Sequence, residues 1–318
     1  MSLDVFETIF TQFPSATPED WKNRIIKDLK GELFEPLIFH SKENIDVLPF
    51  YTKESIQNKI LSIPAKQTAS WQIVERIKVN NAENANYAAI TALQNGAQVI
   101  VFDLQHKEID SDNLSVLLKD IMLDIAPVYF ENYVAENKNL LISFAIDSCP
   151  ETIQIPPLET LTDELVFALQ KGMQTSCNKI YFHFYIGKNY FFEIARLRAF
   201  RWLWKQVNDL QQKNIEIIIR CETDLKSLNK ENENNNILSN TTEAMSAILG
   251  GCDYLIINSH DILKGETSFG KRIARNVHHV LSYESYFNEI QDAAKGSYYL
   301  EYLTYHLAKN AWEKCRGL

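Results

Sequence analysis

The stretch that decides the fold is an apolar run, IYFHFY at residues 180–185, followed by the amphipathic segment YFFEIARLRAFRWLWKQVNDLQ at residues 190–211. A nearly continuous apolar run is typical of a parallel strand that other elements cover on both faces. A strand followed by a long helix is the repeating unit of α/β folds, in which right-handed crossovers join parallel strands. This pair of segments therefore predicts an α/β fold.

The same alternation recurs along the chain from residue 71 onward. Six more strand-like runs lie at residues 71–74, 98–102, 128–130, 140–144, 215–219 and 254–257. Helical segments lie between them, and glycines end three of these, at residues 82–95, 158–170 and 241–249. Strands that alternate with helices predict a parallel sheet with helices packed against it.

A short eighth run at residues 297–300 would close this sheet into a barrel, with residues 303–314 as the last helix. The alternative is an open, doubly wound sheet. No glycine-rich turn of the G-x-G-x-x-G type follows any strand, and the residues after the second strand read DLQH. The fold class that we predict is therefore α/β, a (β/α)8 TIM barrel preceded by an N-terminal extended and helical arm.

The arm is distinguished by its prolines, five of the nine in the chain, all within the first 65 residues. The residue before each proline is pushed out of the helical region, which predicts extended segments around short helices. Thr17-Pro18-Glu19-Asp20 predicts the start of a helix that continues over residues 21–29 and ends at Gly31. We assign residues 1–68 to an arm that wraps the barrel or a partner, and residues 69–318 to the barrel.

The composition excludes several classes of protein. The chain has 41 acidic and 32 basic side chains, a net charge of -9, which argues against a nucleic-acid surface. Its 17 Phe, 14 Tyr and 5 Trp supply apolar surface for a core, which argues against disorder. The first residues, MSLDVFE, do not resemble a secretory signal, and no apolar stretch is long enough to cross a bilayer. We expect a cytoplasmic protein that has no membrane partner.

The five cysteines indicate neither a disulfide framework nor a zinc site, because they are odd in number and form no C-x-x-C pair. We interpret them as structural thiols that are largely buried, at positions 149, 177, 221, 252 and 315.

Histidines and arginines are the first candidates for chemistry. His183, inside the apolar strand, is either a ligand-facing residue or a core histidine. The arginines of residues 190–211 could bind a phosphate where the helix meets the barrel, or form salt bridges on the outer layer, and the salt bridges are favoured. The polar run at residues 231–236 is either a binding loop or merely solvated. No nucleophile elbow, phosphate-binding loop or metal motif occurs, so the residues alone contain no complete catalytic constellation.

Several stretches together resemble the methylmalonyl-CoA mutase family. They occur in the family's order and cover nearly the whole chain, at residues 21–31, 49–52, 190–204, 241–253, 272–276 and 296–304. The resemblance implies a barrel that threads a CoA ester along its axis. It also implies a separate domain that presents adenosylcobalamin for the radical isomerisation of methylmalonyl-CoA and succinyl-CoA, in which the cofactor performs the difficult step.

The chain departs from the catalytic members of that family at the segments that touch the substrate. It contains no D-x-H-x-x-G motif for cobalamin, and residues 75–81 replace the R-Q-Y-A-G segment. Residues 146–150 stand where G-Y-H would supply a tyrosine and a histidine. The segments that hold the CoA ester survive only as residues 220–224 and 256–259, with Glu222 and Asp224 placing carboxylates where an anionic thioester must lie.

These departures point to the small, non-catalytic subunit of a heterodimeric mutase. We predict no catalytic residue, no metal ligand and no cofactor on this chain, and a vestigial substrate-binding set: Arg220, Glu222, Thr223, Asn258 and Ser259. The expected partner is a large catalytic mutase subunit that carries adenosylcobalamin, and a CoA ester is a possible ligand. The alternative is a catalytic acyl-CoA mutase barrel that uses a cobalamin domain on a separate chain.

Overall fold

The structure is a computed structural model that describes residues 16–56, 60–137, 140–141 and 151–317. The chain divides into two compact units, Met1–Asn58 and Lys59–Leu318. The predicted boundary between arm and barrel, after residue 68, lies ten residues beyond this division and stays a prediction.

The first unit contains one helix, α1 (Pro18–Asp28), and a two-stranded antiparallel ladder of β1 (Phe39–His40) and β2 (Asp46–Val47) among its described residues. The helix begins where the sequence predicts it, because Thr17 and Asp20 form a reciprocal capping box. No residue of α1 is buried. The indole of Trp21 lies against Phe50, with ring centroids 5.7 Å apart.

The second unit is built on a seven-stranded sheet in the order β5-β4-β3-β9-β8-β7-β6, in which every ladder is parallel. The strands are β3 (Gln72–Lys78), β4 (Val99–Asp103), β5 (Val128–Glu131), β6 (Glu151–Gln154), β7 (Lys179–Ile186), β8 (Glu216–Thr223) and β9 (Tyr254–Ile256). The hydroxyls of Tyr129 on β5 and Tyr181 on β7 lie 3.1 Å apart, although four strands separate β5 from β7 in the sheet. The sheet is therefore curled into a half-barrel, and the TIM-barrel-like α/β fold class is confirmed.

The predicted eighth strand is wrong. Ser297 is the N-cap of a helix, α9 (Tyr298–Arg316), and its side chain accepts a hydrogen bond from the backbone N–H of Leu300. Leu300, Leu303 and Leu307 are buried at helical spacing, so the helical period already begins in the SYYL run. As a result β3 pairs directly with β9 over two residues.

Two further differences concern β6 and the run before it. The sequence does not predict β6, which pairs with β7 over four residues. The predicted strand at 140–144 lies largely outside the described residues, and its first two residues are helical.

Helices cover the outer face of the sheet. They are α2 (Ala82–Gln94), α3 (Ser111–Leu118), α4 (Leu161–Met173), α5 (Tyr190–Gln211), α6 (Glu233–Leu249), the short α7 (Ile262–Gly265), α8 (Ser268–His279) and α9. The helix α5 has the predicted bounds, and α6 begins eight residues earlier than predicted. Residues 233–236 of the polar run at 231–236 are therefore helical, and Asn236 is buried within α6 and donates hydrogen bonds to the carbonyls of Asn229 and His260. No described helix combines the length and the apolar character that crossing a bilayer requires.

Aromatic packing fixes α5 against the sheet. The ring of Phe182 on β7 meets Phe200 and Trp204 on α5 edge-on, with centroids 4.7 and 5.2 Å apart. Gly172 on α4 lies behind them, where an added Cβ would be 2.5 Å from the indole of Trp204. The alternate side chains of the strands point to the concave side of the sheet, which forms the lumen of the half-barrel.

Candidate functional site

Five titratable side chains project into the lumen near the carboxyl ends of the strands, the end at which barrels of this class place their active sites. We call them the charge cluster. β3, β5 and β7 each supply one member and β8 supplies two: Arg76, Glu131, His183, Arg220 and Glu222.

Glu222 is the centre of the charge cluster and is 1% exposed. Its two carboxylate oxygens accept hydrogen bonds from Nη1 and Nη2 of Arg76, at 2.8 and 2.5 Å. Arg76 Nε lies 3.4 Å from Glu131, and Arg220 completes the ring by donating to Glu131. Two guanidinium groups thus face two carboxylates, so the formal charge of these four groups sums to zero.

The ionisation of Glu222 follows from these contacts. Burial raises the pKa of this carboxyl, but Arg76 and His183 lower it by more, and the net pKa lies well below its usual value. Burial disfavours the charged form of Arg76, yet Glu222 and Glu131 together raise the pKa of its guanidinium. Both groups are therefore charged at neutral pH and neutralise each other.

His183 is fully buried and lies between Arg220 and Glu222. Its Nδ1 accepts a hydrogen bond from Arg220 Nε at 2.7 Å, and its Nε2 lies 3.1 Å from a carboxylate oxygen of Glu222. Burial and the positive charge of Arg220 lower the pKa of the imidazole to about 4. His183 is therefore a neutral core histidine with both nitrogens in contact with partners, the favoured of its two interpretations.

The predicted substrate-binding residues come together only in part. Arg220 and Glu222 belong to the charge cluster, and Asn258 joins them, because its Nδ2 donates to Glu222 at 3.1 Å and to the carbonyl of Thr223 at 2.6 Å. The backbone N–H of Asn258 also donates to Thr223 Oγ1 at 2.9 Å. Ser259 turns elsewhere and donates to Asp261 at 2.8 Å. The role of these five residues in substrate binding stays a prediction.

Three tyrosines close the lumen on the amino-terminal side of the charge cluster. We call them the tyrosine layer: Tyr129 on β5, Tyr181 on β7 and Tyr254 on β9, whose ring centroids lie 5.6, 6.4 and 5.9 Å apart in pairs. Aliphatic side chains of β3, β4 and β9 pack beside them: Val74, Val99, Val101 and Ile256. Each tyrosine interrupts or borders an apolar run, but no local pattern in the sequence indicates that the three side chains meet.

The arginines of α5 bind carboxylates of α5 itself and of neighbouring elements. Arg196 contacts Glu164 and Glu193; Arg198 contacts Asp292 and Glu301; Arg201 contacts Asp253. Most of these contacts are salt bridges on the outer, helical layer, which the sequence favoured.

In the part of the chain that the structure describes, the lumen therefore contains no side chain that is placed to act as a general acid or general base. A general base needs a pKa near the working pH and an open path to its substrate, whereas the acids of the charge cluster are held by arginines and its histidine is enclosed. Among the described residues, no three histidine, cysteine, aspartate or glutamate side chains are placed to hold a metal ion. Residues 146–150, where the resemblance would place a tyrosine and a histidine, lie outside the described residues.

Comparison with known proteins gives a consistent result. The sequence model of the family described as methylmalonyl-CoA mutase matches residues 165–317. The chain is 27% identical to the methylmalonyl-CoA mutase small subunit of Porphyromonas gingivalis, over 96% of this chain and 63% of that protein. It is 38% identical to the methylmalonyl-CoA mutase of Rhizobium meliloti, over 48% of this chain and 24% of that protein. It is 30% identical to the methylmalonyl-CoA mutase large subunit of Streptomyces virginiae, over 61% of this chain and 28% of that protein. The chain thus spans less than two thirds of the length of these relatives.

Proposed function

We propose that this chain, which is similar to methylmalonyl-CoA mutases, is a non-catalytic small subunit that supports a large, adenosylcobalamin-carrying subunit. The observation that carries this proposal is the filled lumen, in which the tyrosine layer and the charge cluster occupy the axis. A CoA ester is the substrate of such an enzyme, and in the part of the lumen that the structure describes, side chains paired across the axis lie where the ester would pass.

The energetic argument concerns the charge cluster. A pantetheine arm on the axis would have to separate Arg76 from Glu222 and displace at least one ring of the tyrosine layer. Removing one partner of a buried ion pair costs about 3–5 kcal/mol, because the other charge is left without compensation. A neutral, flexible arm offers no charge to replace the lost partner, so we propose that the isolated chain does not bind the ester.

The first unit supports a role in assembly. Four of its large apolar side chains are exposed, each to 43% or more: Trp21, Ile26, Leu33 and Phe39. Exposed apolar side chains grouped in one segment are typical of surfaces that bind another protein. We propose that this segment contributes to a heterodimer interface with the large subunit. The cytoplasmic location stays a prediction from the sequence.

The test is co-expression of this chain with a large mutase subunit, followed by purification and a mutase assay. We expect the two chains to co-purify and the isolated chain to bind no methylmalonyl-CoA in equilibrium dialysis. Leu33→Asp in the first unit should weaken co-purification, whereas Leu238→Asp, an equally exposed leucine on α6, should leave it unchanged. Binding of the ester by the isolated chain, or turnover without the large subunit, would contradict the proposal.

The alternative, a catalytic barrel served by a cobalamin domain on a separate chain, makes a different prediction. It requires turnover when only a cobalamin-domain chain and adenosylcobalamin are added. The enclosed His183 and the paired acids of the charge cluster argue against it.

A further inference from the structure

A groove lies at the amino ends of β3, β4 and β5, the opposite end of the sheet from the charge cluster. We call it the amino-end groove. The last turn of α2 and the segment at residues 120–126, which leads into β5, form its walls. Its volume is about 520 Å3, more than three times that of a cavity of about 150 Å3 that accommodates benzene. Small-molecule sites of about 300–1,000 Å3 are typical of proteins, and the groove falls in this range.

Aliphatic side chains supply much of the lining of the amino-end groove. Ile90 and Leu93 of α2 are half-buried and pack against the core. Met122 and Ile125 also line the groove, and they are 64% and 69% exposed. Large apolar side chains that are exposed together at a groove are typical of a surface that a ligand covers. An apolar ligand body would remove them from water, which is favourable in proportion to the area covered.

The polar part of the lining contains one carboxylate and no cationic side chain. Asp120 forms neither an ion pair nor a side-chain hydrogen bond with any residue that the structure describes. The other polar groups are the neutral amides of Gln72, Gln94 and Gln98. Gln98 Oε1 accepts a hydrogen bond from the backbone N–H of Ile73 at 3.0 Å, whereas the amides of Gln72 and Gln94 have no partner within the described ranges. The lining therefore carries one negative charge and two amides that are free to bind a ligand.

The end of α2 adds to the negative potential of the groove. This helix ends at Gln94, and its last turn contains no basic residue. The aligned peptide dipoles give the carboxyl end of a helix a partial negative charge, which stabilises a cation nearby. Lys119 and Asp124 flank the groove in sequence, but both are exposed, neither lines it, and their formal charges cancel. A cation in the groove is therefore favoured by Asp120 and by the helix end, whereas both disfavour an anion.

We propose that the amino-end groove binds an amphipathic primary amine, with its ammonium group at Asp120 and its apolar body along α2 and the segment at residues 120–126. An ammonium group has three donors and no acceptor. The Asp120 carboxylate and the amide oxygens of Gln72 and Gln94 supply the acceptors that these donors need. An apolar body of about six to twelve carbons fits the volume. The site is independent of the proposed subunit role, because it uses no residue of the charge cluster, the tyrosine layer or the first unit.

The test is isothermal titration of the full-length chain at neutral pH with heptylamine, with heptanol as its neutral analogue and heptanoate as its anionic analogue. We expect saturable binding of heptylamine at one site, at least about threefold tighter than that of heptanol, and heptanoate weaker than both. Equal affinities for the amine and the alcohol, a preference for heptanoate, or no saturable binding of heptylamine at millimolar concentrations would overturn the proposal.

Added salt tests the electrostatic part of the proposal. At a sodium chloride concentration of about 1 M the Debye length is about 3 Å, so charges near the surface are screened. The preference for heptylamine over heptanol should therefore shrink, while the affinity for heptanol should not fall. A preference that is unchanged by salt would contradict the assignment of the ammonium group to Asp120.

Two variants with matched controls separate the head-group site from the apolar site. Asp120→Asn should abolish the preference for the amine over the alcohol, whereas Asp124→Asn, an exposed acid of the same segment that does not line the groove, should retain it. Met122→Ser combined with Ile125→Ser should weaken all three ligands by similar factors, whereas Leu238→Ser, an exposed leucine on α6, should change none of them.

Circular dichroism establishes that each variant is folded. A retained preference in folded Asp120→Asn, or unchanged affinities in the folded double variant, would refute the site. Sedimentation velocity tests the other occupant of an apolar groove, a second copy of the chain. Self-association that the double variant abolishes would identify that occupant and overturn the proposal.

Discussion

Removal of the Glu222 carboxylate is the most direct test of how the lumen is held together. Glu222→Ala deletes the acceptor for both Arg76 Nη groups and for Asn258, and the oxygen that faces His183. The remaining charged groups, Arg76, Glu131 and Arg220, then carry a net charge of one positive unit inside a buried site.

The expected magnitude follows from that uncompensated charge. Breaking a buried ion pair from one side costs about 3–5 kcal/mol of unfolding free energy. With a urea m-value of about 3 kcal/mol per molar, the upper end for small proteins, the urea midpoint should fall by about 1–1.7 M. A matched control is Glu216→Ala on the same strand: its carboxylate is 54% exposed and lies 3.9 Å from Lys179. Exposed pairs of this kind contribute at most about 1 kcal/mol.

A double variant distinguishes charge from packing. Arg76→Met combined with Glu222→Leu removes one charge of each sign and leaves Arg220 paired with Glu131. Replacing a whole buried pair by apolar side chains is often neutral or stabilising, so most of the lost stability should return. The measurement is urea denaturation followed by tryptophan fluorescence and circular dichroism. A loss below about 1 kcal/mol in Glu222→Ala, or no recovery in the double variant, would refute the reasoning.

Two further predictions concern pH and packing. Burial lowers the pKa of His183 to about 4 and that of His278 to about 3, while it raises the pKa of Glu243 to about 7. Between about pH 6 and 4.5 the unfolded chain binds protons at both histidines and the folded chain does not, so the two histidines lower the stability of the fold as the pH falls. Glu243 acts in the opposite direction, as do Glu75 and Glu193, because burial raises the pKa of each of these carboxyls. The urea midpoint should therefore fall less steeply, or rise more, on acidification in His278→Asn than in the unsubstituted chain, and the reverse order would contradict this. Gly172→Ala should cost about 1–3 kcal/mol by overpacking, whereas Gly317→Ala, with no atom nearer than 3.6 Å to its Cβ, should be neutral in thermal unfolding.

The charge cluster and the tyrosine layer together account for how the described part of the lumen is packed. Polar side chains at the carboxyl ends of the strands point toward the barrel axis, and each of them needs a partner there. Here the arginines and glutamates of different strands neutralise one another, and the tyrosine layer fills the section below them. The interior is then packed by side chains that come from the sheet itself, as barrel cores require.

Local features of the sequence determined most of the secondary structure. The apolar runs of β4, β7 and β8, the whole of α5 and the capping box at Thr17 were all readable, because each depends on residues a few positions apart. The errors also have local causes. The SYYL run has the composition of a strand, but its leucine, Leu300, begins the buried face of α9.

Only the tertiary structure decided what the lumen contains. Arg76 and Glu222 are 146 residues apart, and nothing in either segment indicates that the two side chains point at each other. From the sequence, Glu222 is a carboxylate at a position where it would repel an anionic thioester. Whether this carboxylate instead pairs with a cationic side chain of another strand depends on the order of the strands in the sheet. That order follows from which apolar faces cover one another across the whole chain, and such pairing is a property of the folded sheet rather than of any single segment.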